Sequence, residues 1–256
     1  MDRLTRQARM RRLFTEGFAA IDMAEPVDAG EGVREWPVAA KWMDESGLDL
    51  VGVRRNGVVV GYARRENLAN GSCLDHVESF YESQILPESG NLADAILMLE
   101  KYPYCFIAML GHVGAYVSLR EVHKPPVRMW LFGMITILET YITRIIREKY
   151  PDDSWQQTVS AGRLGKARAL FEERQRRKER VQLLDCLQFG EKGRILLNDP
   201  HIREDVGFAS IREGKQRLKE IESLRNNLAH SQDIVGSNWS VIVGLSRRLE
   251  TIMTRI

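Results

Sequence analysis

One pattern, met twice, limits the folds open to this chain more than anything else in it. Residues 37–43 read as a short amphipathic helix and residues 48–54 as a strand. Asn56-Gly57 reads as a two-residue turn, residues 58–62 as the returning strand, and Glu66 begins a helix or turn. Asn-Gly between apolar runs is a strong hairpin signal, because a turn with positive φ at both positions matches the twist of the strands. The same order recurs downstream. A helix is expected over 92–99, a strand over 105–110, a turn at Gly111-His112, a strand over 113–118, and then Arg120-Glu121-Val122. A repeat of helix, strand, turn and strand outweighs any single element in deciding the fold.

This tandem resembles a pair of cystathionine-beta-synthase (CBS) domains spanning residues 21–124. That family packs two such motifs into one disc with adenine-nucleotide clefts between them. Its signature is Gly, two apolar residues, Thr or Ser, two further residues, then Asp, with the hydroxyl and carboxylate holding phosphate and ribose. In the second repeat Ser118 holds the hydroxyl position, Glu121 replaces the Asp, and Gly114 is displaced by one place. In the first repeat Gly61 fits, but Arg64 stands at the hydroxyl position and Asn67 at the Asp position. The resemblance therefore makes Ser118, Glu121, Arg64 and Asn67 the nucleotide-binding candidates. Arg64 is either a phosphate ligand or a surface residue.

The flanks read differently. Residues 1–20 form a basic arm with Arg3, Arg6, Arg9, Arg11 and Arg12, expected to be a solvated helix or a nucleic-acid or subunit contact. Lys124-Pro125-Pro126 reads as a short stiff hinge, since proline fixes the backbone and restrains the residue before it. Residues 127–150 form a long helix that is apolar on most sides, suited to a bundle centre or a subunit interface. Glu139 interrupts it, either as the salt-bridge partner of a bundle cation or as the group that orients Arg225. Helices are expected over 162–177 and 179–188, turn-rich chain over 189–207, and a last amphipathic helix over 239–255. Arg174, Arg176, Arg177, Lys178 and Arg180 make a basic run among Glu172, Glu173 and Glu179. It is either a solvated face or a track for an RNA backbone.

Residues 220–230 close another long helix. Ser210 and Glu213 have the spacing of a capping box at its start. Leu218, Ile221, Leu224 and Leu228 recur at helical spacing as its buried stripe, and Arg225 sits at the edge of that stripe. Asn226 and His230 are four apart and share a face pointing away from it. Arg225, Asn226 and His230 resemble the signature of the HEPN family (higher eukaryotes and prokaryotes nucleotide-binding): Arg, four to six residues of which the first is polar, then His. The family is a helical bundle, usually dimeric, and many members are metal-independent ribonucleases. The resemblance makes Arg225, Asn226 and His230 the catalytic candidates. In such chemistry the substrate's 2′-hydroxyl attacks the adjacent phosphate. Histidine suits the proton transfers and arginine the charge on the phosphoryl oxygens.

Composition excludes other classes. With a net charge of +2 over 256 residues, the whole chain exerts no pull on nucleic acid, so any RNA affinity must be local. Cys73, Cys105 and Cys186 are odd in number and widely spaced, which fits a reducing cytoplasm better than a disulfide framework or a zinc site. No secretory signal opens the chain, and its longest apolar run, residues 129–138, is too short to span a bilayer. No phosphate-binding Gly-rich loop with Lys-Ser or Lys-Thr occurs, and the remaining histidines lack ligand spacing. The expectation is an α+β CBS pair followed by an all-α HEPN bundle over residues 125–256. It would act as a homodimeric, metal-independent endoribonuclease that cleaves single-stranded RNA at a composite site across the two-fold axis, since one chain offers one histidine at the motif. No cofactor is required, an adenine nucleotide is the effector, and no membrane is involved. The alternative is a non-catalytic, nucleotide-responsive regulatory or interaction module.

Overall fold

A computed structural model of the chain describes residues 3–31, 38–68, 73–205 and 210–248. It divides into two compact units, Ala8–Arg128 and Met129–Ile256 with Met1–Gln7. The elements up to the division are α1 (Arg3–Glu16), β1 (Glu25–Pro26), β2 (Ala29–Glu31), α2 (Val38–Ser46), β3 (Leu50–Arg55) and β4 (Val58–Arg64). They continue as β5 (Ile85–Pro87), α3 (Leu92–Leu99), β6 (Cys105–Met109) and β7 (His112–Val117).

The repeat is present and longer than its sequence pattern. Each copy starts with a short strand that lies parallel to the first strand of its hairpin, β2 beside β3 and β5 beside β6. The hairpins β3–β4 and β6–β7 are antiparallel. One sheet runs β2-β3-β4 and the other β1-β7-β6-β5. Strands of two or three residues carry no readable alternation, so β1, β2 and β5 have no sequence signal of their own. The copies agree in detail. The ladder slips between Val53 and Arg54, and again between Ile107 and Ala108, 54 positions on. The turn at Asn56 (φ 51°) and Gly57 (φ 80°) matches Leu110 (φ 51°) and Gly111 (φ 83°) at the same interval. The second turn is therefore Leu110-Gly111, not Gly111-His112, and His112 opens β7. A leucine in the left-handed region, 97% exposed, gives no turn signal in sequence.

Strand alternation sends neighbouring side chains to opposite faces. On one face Ala63, Val51 and Val53 pack with Ala39 and Met43 of α2. On the other, Leu50 and Tyr62 meet Phe106 and Tyr116 of the second sheet, with Phe80 and Tyr104 against them. The rings of Tyr62, Phe80, Tyr104, Phe106 and Tyr116 contact one another in tilted, stacked and edge-on pairs, the geometries their quadrupoles favour. Burial, reinforced by the Asp49 carboxylate, pushes the Tyr104 hydroxyl up to about 12.

The later elements are α4 (Pro125–Lys149), α5 (Ala161–Arg176), α6 (Phe189–Asn198), α7 (Pro200–Asp205), α8 (Ile211–Ala229) and α9 (Val235–Arg247). Pro125 and Pro126 are the first turn of α4 rather than a linker, the helical place where a missing N–H costs nothing. Lys124 before them is tied down, donating to the Met23 carbonyl (2.8 Å) and pairing with Glu25 (2.5 Å). At 25 residues α4 is long and apolar enough to cross a bilayer, yet its Ile142 and Ile146 belong to a core with Trp155, Phe189, Ile195 and Leu218.

Two expectations fail here. Residues 179–188 hold only the short 3₁₀ turn Leu183–Cys186, and the segment read as turn-rich is helical over α6 and α7. Its Gly193 serves packing: a Cβ there would overlap Leu218, and one on Gly214 of α8 would overlap Leu197, so α6 and α8 meet closely at these two points. The Gln188 N–H donates to Glu191 (2.9 Å), the cap that starts α6, and Pro200 opens α7. The last helix starts at Val235, earlier than expected, and its expected end at 255 lies outside the described residues, as do Pro37 and Gly207.

Candidate functional site

Helix α8 carries the first candidate set. The Ser210 hydroxyl accepts from the Glu213 N–H (3.1 Å) and caps its start. Leu218, Leu224 and Leu228 are buried and Ile221 packs partly beside them, so the predicted stripe faces the core. The helix ends sharply. His230 is its C-cap, Ser231 turns left-handed (φ 53°), and the Gln232 N–H donates back to the Asn227 carbonyl (2.9 Å). That is the six-to-one bond of a Schellman ending.

Asn227, which sequence reasoning passed over, locks this ending to α9. Its Nδ2 donates to Asn238 Oδ1 (2.7 Å), and Asn238 is buried. The Asp233 carboxylate accepts from Val235 N–H (3.0 Å) and Gly236 N–H (3.1 Å) at the start of α9. Neighbouring Asn residues thus divide the work: Asn227 is structural, and Asn226 points outward.

Asn226 and His230 are both exposed and Arg225 is half-buried. Among the described residues none of the three side chains has a hydrogen-bond or ion-pair partner. They are not on one face. At about 100° per residue, Arg225 and His230 stand about 140° apart around α8. The helix brings Asn226 and His230 together on its outer surface and leaves Arg225 half-buried beside the leucine stripe.

Glu139 does not pair with Arg225. It accepts from Lys192 Nζ of α6 at 2.9 Å, and the Lys192 residue is only 4% exposed. A buried lysine needs such a partner, because an uncompensated charge there is strongly destabilising. Lys192 escaped the sequence reading because its segment read as turn. The basic run at the end of α5 is partly neutralised: Arg176 and Arg177 pair with Glu173 (3.0 and 2.9 Å), and Arg174 with Glu179 (3.8 Å).

The second candidate set sits at the ends of β4 and β7. Arg64 Nε donates to Glu78 Oε1 (2.6 Å), Asn67 Nδ2 donates to the same oxygen (2.9 Å), and the Tyr62 hydroxyl donates to Oε2 (3.1 Å). Arg64 also pairs with Glu66 (2.5 Å). The Glu78 carboxylate therefore gathers both first-repeat candidates, and its hydrogen bond raises the Arg64 pKa further above an already high value. Glu78 reaches them because its backbone pairs with Tyr62 in an isolated bridge. Gly61 permits this approach: a Cβ there would overlap the Glu78 carbonyl oxygen. In the second repeat Glu121, 6% exposed, accepts from the Ser118 N–H (2.7 Å), while Ser118 Oγ accepts from the Arg120 N–H (3.2 Å). These two cap their own turn. The structure so keeps the sets of the two repeats in different states, one held by a remote carboxylate and one self-capped. Among the described residues no three His, Cys, Asp or Glu side chains are grouped to hold a metal.

No protein-family model matches the chain, and no curated protein does. Solved structures of the CBS domain of a bacterial CNNM/CorC family Mg2+ transporter are similar to it. One, an inhibitor complex, is 16% identical, with 50% of this chain and 86% of that chain covered and a TM-score of 0.36. Another, a complex with ATP, is 16% identical over 49% of this chain and 97% of that one, with a TM-score of 0.35.

Proposed function

We propose that the chain is a cytoplasmic, metal-independent endoribonuclease that works as a homodimer, with an adenine-nucleotide-responsive CBS pair before a HEPN-type bundle. The observation that carries the proposal is the end of α8. Arg225, Asn226 and His230 lack partners among the described residues, while Asn227 beside them and the turn beyond them are fastened. Polar groups held on a rigid ending and left without internal partners are available to a ligand. Two-step acid–base cleavage needs a proton acceptor for the 2′-hydroxyl and a donor for the leaving 5′-oxygen. One chain offers His230 alone at this place, so a two-fold pair supplies both roles. Arg225 holds the phosphoryl oxygens and Asn226 positions the imidazole or the phosphate. Met129 (66% exposed) and Phe132 (43% exposed) on α4 supply apolar surface for a subunit interface.

The nucleotide enters as effector through the pattern at Ser118 and Glu121, with Arg64 and Asn67 in the other repeat. It regulates only by binding two arrangements of the protein unequally. The reading of a non-catalytic, nucleotide-responsive module is favoured by one observation, the angular separation of Arg225 and His230 on their helix.

Purified protein in excess chelator, given single-stranded RNA, tests the catalytic reading. The expected products carry a 2′,3′-cyclic phosphate and a 5′-hydroxyl. His230→Ala and Arg225→Ala should each lose about two orders of magnitude, the usual effect of removing an acid–base group or a charge clamp. Equal cleavage by wild type and both variants would place the activity elsewhere.

A further inference from the structure

The outward surface of α8 holds more than the motif. At about 100° per residue, Arg212, Lys215, Lys219, Ser223, Asn226 and His230 fall within one arc of about 80°, opposite the buried leucines. All six are exposed, and among the described residues none of their side chains has a hydrogen-bond or ion-pair partner. Gln216 lies about 20° beyond one edge of the arc and is held by Glu220 (2.8 Å). No carboxylate lies within the arc, and Glu222 lies about 20° beyond its other edge. The acids of α8 stand outside it, and Arg217, also outside, is paired with Glu220 (3.3 Å). An open groove of about 760 Å³ runs along Ile211, Arg212, Lys215, Gln216 and Lys219.

We infer that this arc is a track for the sugar–phosphate backbone of single-stranded RNA, running from Arg212 to His230. The donors are spaced three and four residues apart, one step per turn, over about 27 Å. A linear polymer with a charge on every unit can satisfy such a ladder; a compact anion can reach only one or two of its rungs. The order of chemistry along the ladder fits this occupant: cations come first, then hydroxyl, amide and imidazole where the strand meets the motif. A chain with almost no net charge must find its phosphate affinity in a local row of this kind. The inference rests on the nuclease reading for the identity of the polymer.

The test uses full-length protein and a fluorescent 2′-O-methyl oligouridylate, which lacks the attacking hydroxyl and so reports binding alone. Anisotropy is followed over a range of salt concentrations. The triple variant Arg212→Gln, Lys215→Gln, Lys219→Gln should bind roughly tenfold more weakly, and its log–log salt slope should fall by about 2, near 0.7 for each lost phosphate contact. A control with Arg176→Gln and Arg177→Gln, both paired with Glu173, should keep the wild-type slope. Matching circular dichroism melts establish that the variants fold. Unchanged affinity and slope in the triple variant overturn the track, as does wild-type binding of polyglutamate in place of the oligonucleotide. If the triple variant binds normally while His230→Ala abolishes cleavage, the track is wrong and the nuclease reading stands. If the triple variant loses binding and wild type cleaves nothing, the track stands and the nuclease reading falls.

Discussion

Glu78 decides what Arg64 and Asn67 can do. Its carboxylate accepts from both of them and from Tyr62, so an anionic ligand at the Arg64 guanidinium meets the repulsion of this negative charge. The sequence identified Arg64 and Asn67 by their places in a repeat. It had no means of naming Glu78, whose position follows from a backbone bridge to Tyr62. The same holds for Glu139, where a charge in an apolar helix implied a partner but not that the partner was Lys192. Glu78→Gln keeps the shape and removes the charge. If Arg64 serves a nucleotide phosphate, calorimetry with ATP should show about tenfold tighter binding to this variant, a gain of roughly 1.4 kcal/mol. Identical isotherms for variant and wild type would make Arg64 a structural residue.

The first hairpin and α8 were legible because each carries a local signal, Asn-Gly between apolar runs and leucines at helical spacing beneath a Ser cap; the second hairpin was legible as a repeat of the first, its turn one residue off. Helices α6 and α7 were not. Their Gly190, Gly193, Asn198 and Pro200 are the residues of turns, and composition alone cannot separate a glycine that bends a chain from one that lets a helix approach another. The helical signals were present but outvoted: Glu191 three places after Gln188, then Ile195, Leu196 and Leu197. The close approach makes a quantitative expectation. Gly193→Ala gains about 1 kcal/mol of helix propensity, but forcing a methyl against Leu218 in a filled core costs about 1–3 kcal/mol. Leu218 is nearly buried and has little room to yield, so urea unfolding should show a net loss of up to about 2 kcal/mol. A stabilised variant would mean that α6 and α8 are not in close contact there.

On the scale of the whole molecule, the proposed chemistry is set by where one chain falls short. His230 is a single imidazole at the end of α8, and Arg225 stands about 140° from it around the helix. In the proposed homodimer a two-fold pair would remedy the first deficit directly, since the second copy would bring its own His230 to the site. Both the residue types at the motif and the need for a second histidine were legible in the sequence; which surfaces would bring two copies together was not, because symmetry is a property of surfaces and not of spacing. The most direct measurement uses a heterodimer of one wild-type and one His230→Ala chain, each with its own affinity tag, isolated through both tags and assayed for RNA cleavage in excess chelator. If the acid and the base are the two copies of His230 at one site, one substituted chain removes one role, and activity should fall by about 10²-fold or more. A heterodimer retaining about half of the wild-type activity would mean that each chain cleaves with its own His230, and the shared site would be contradicted.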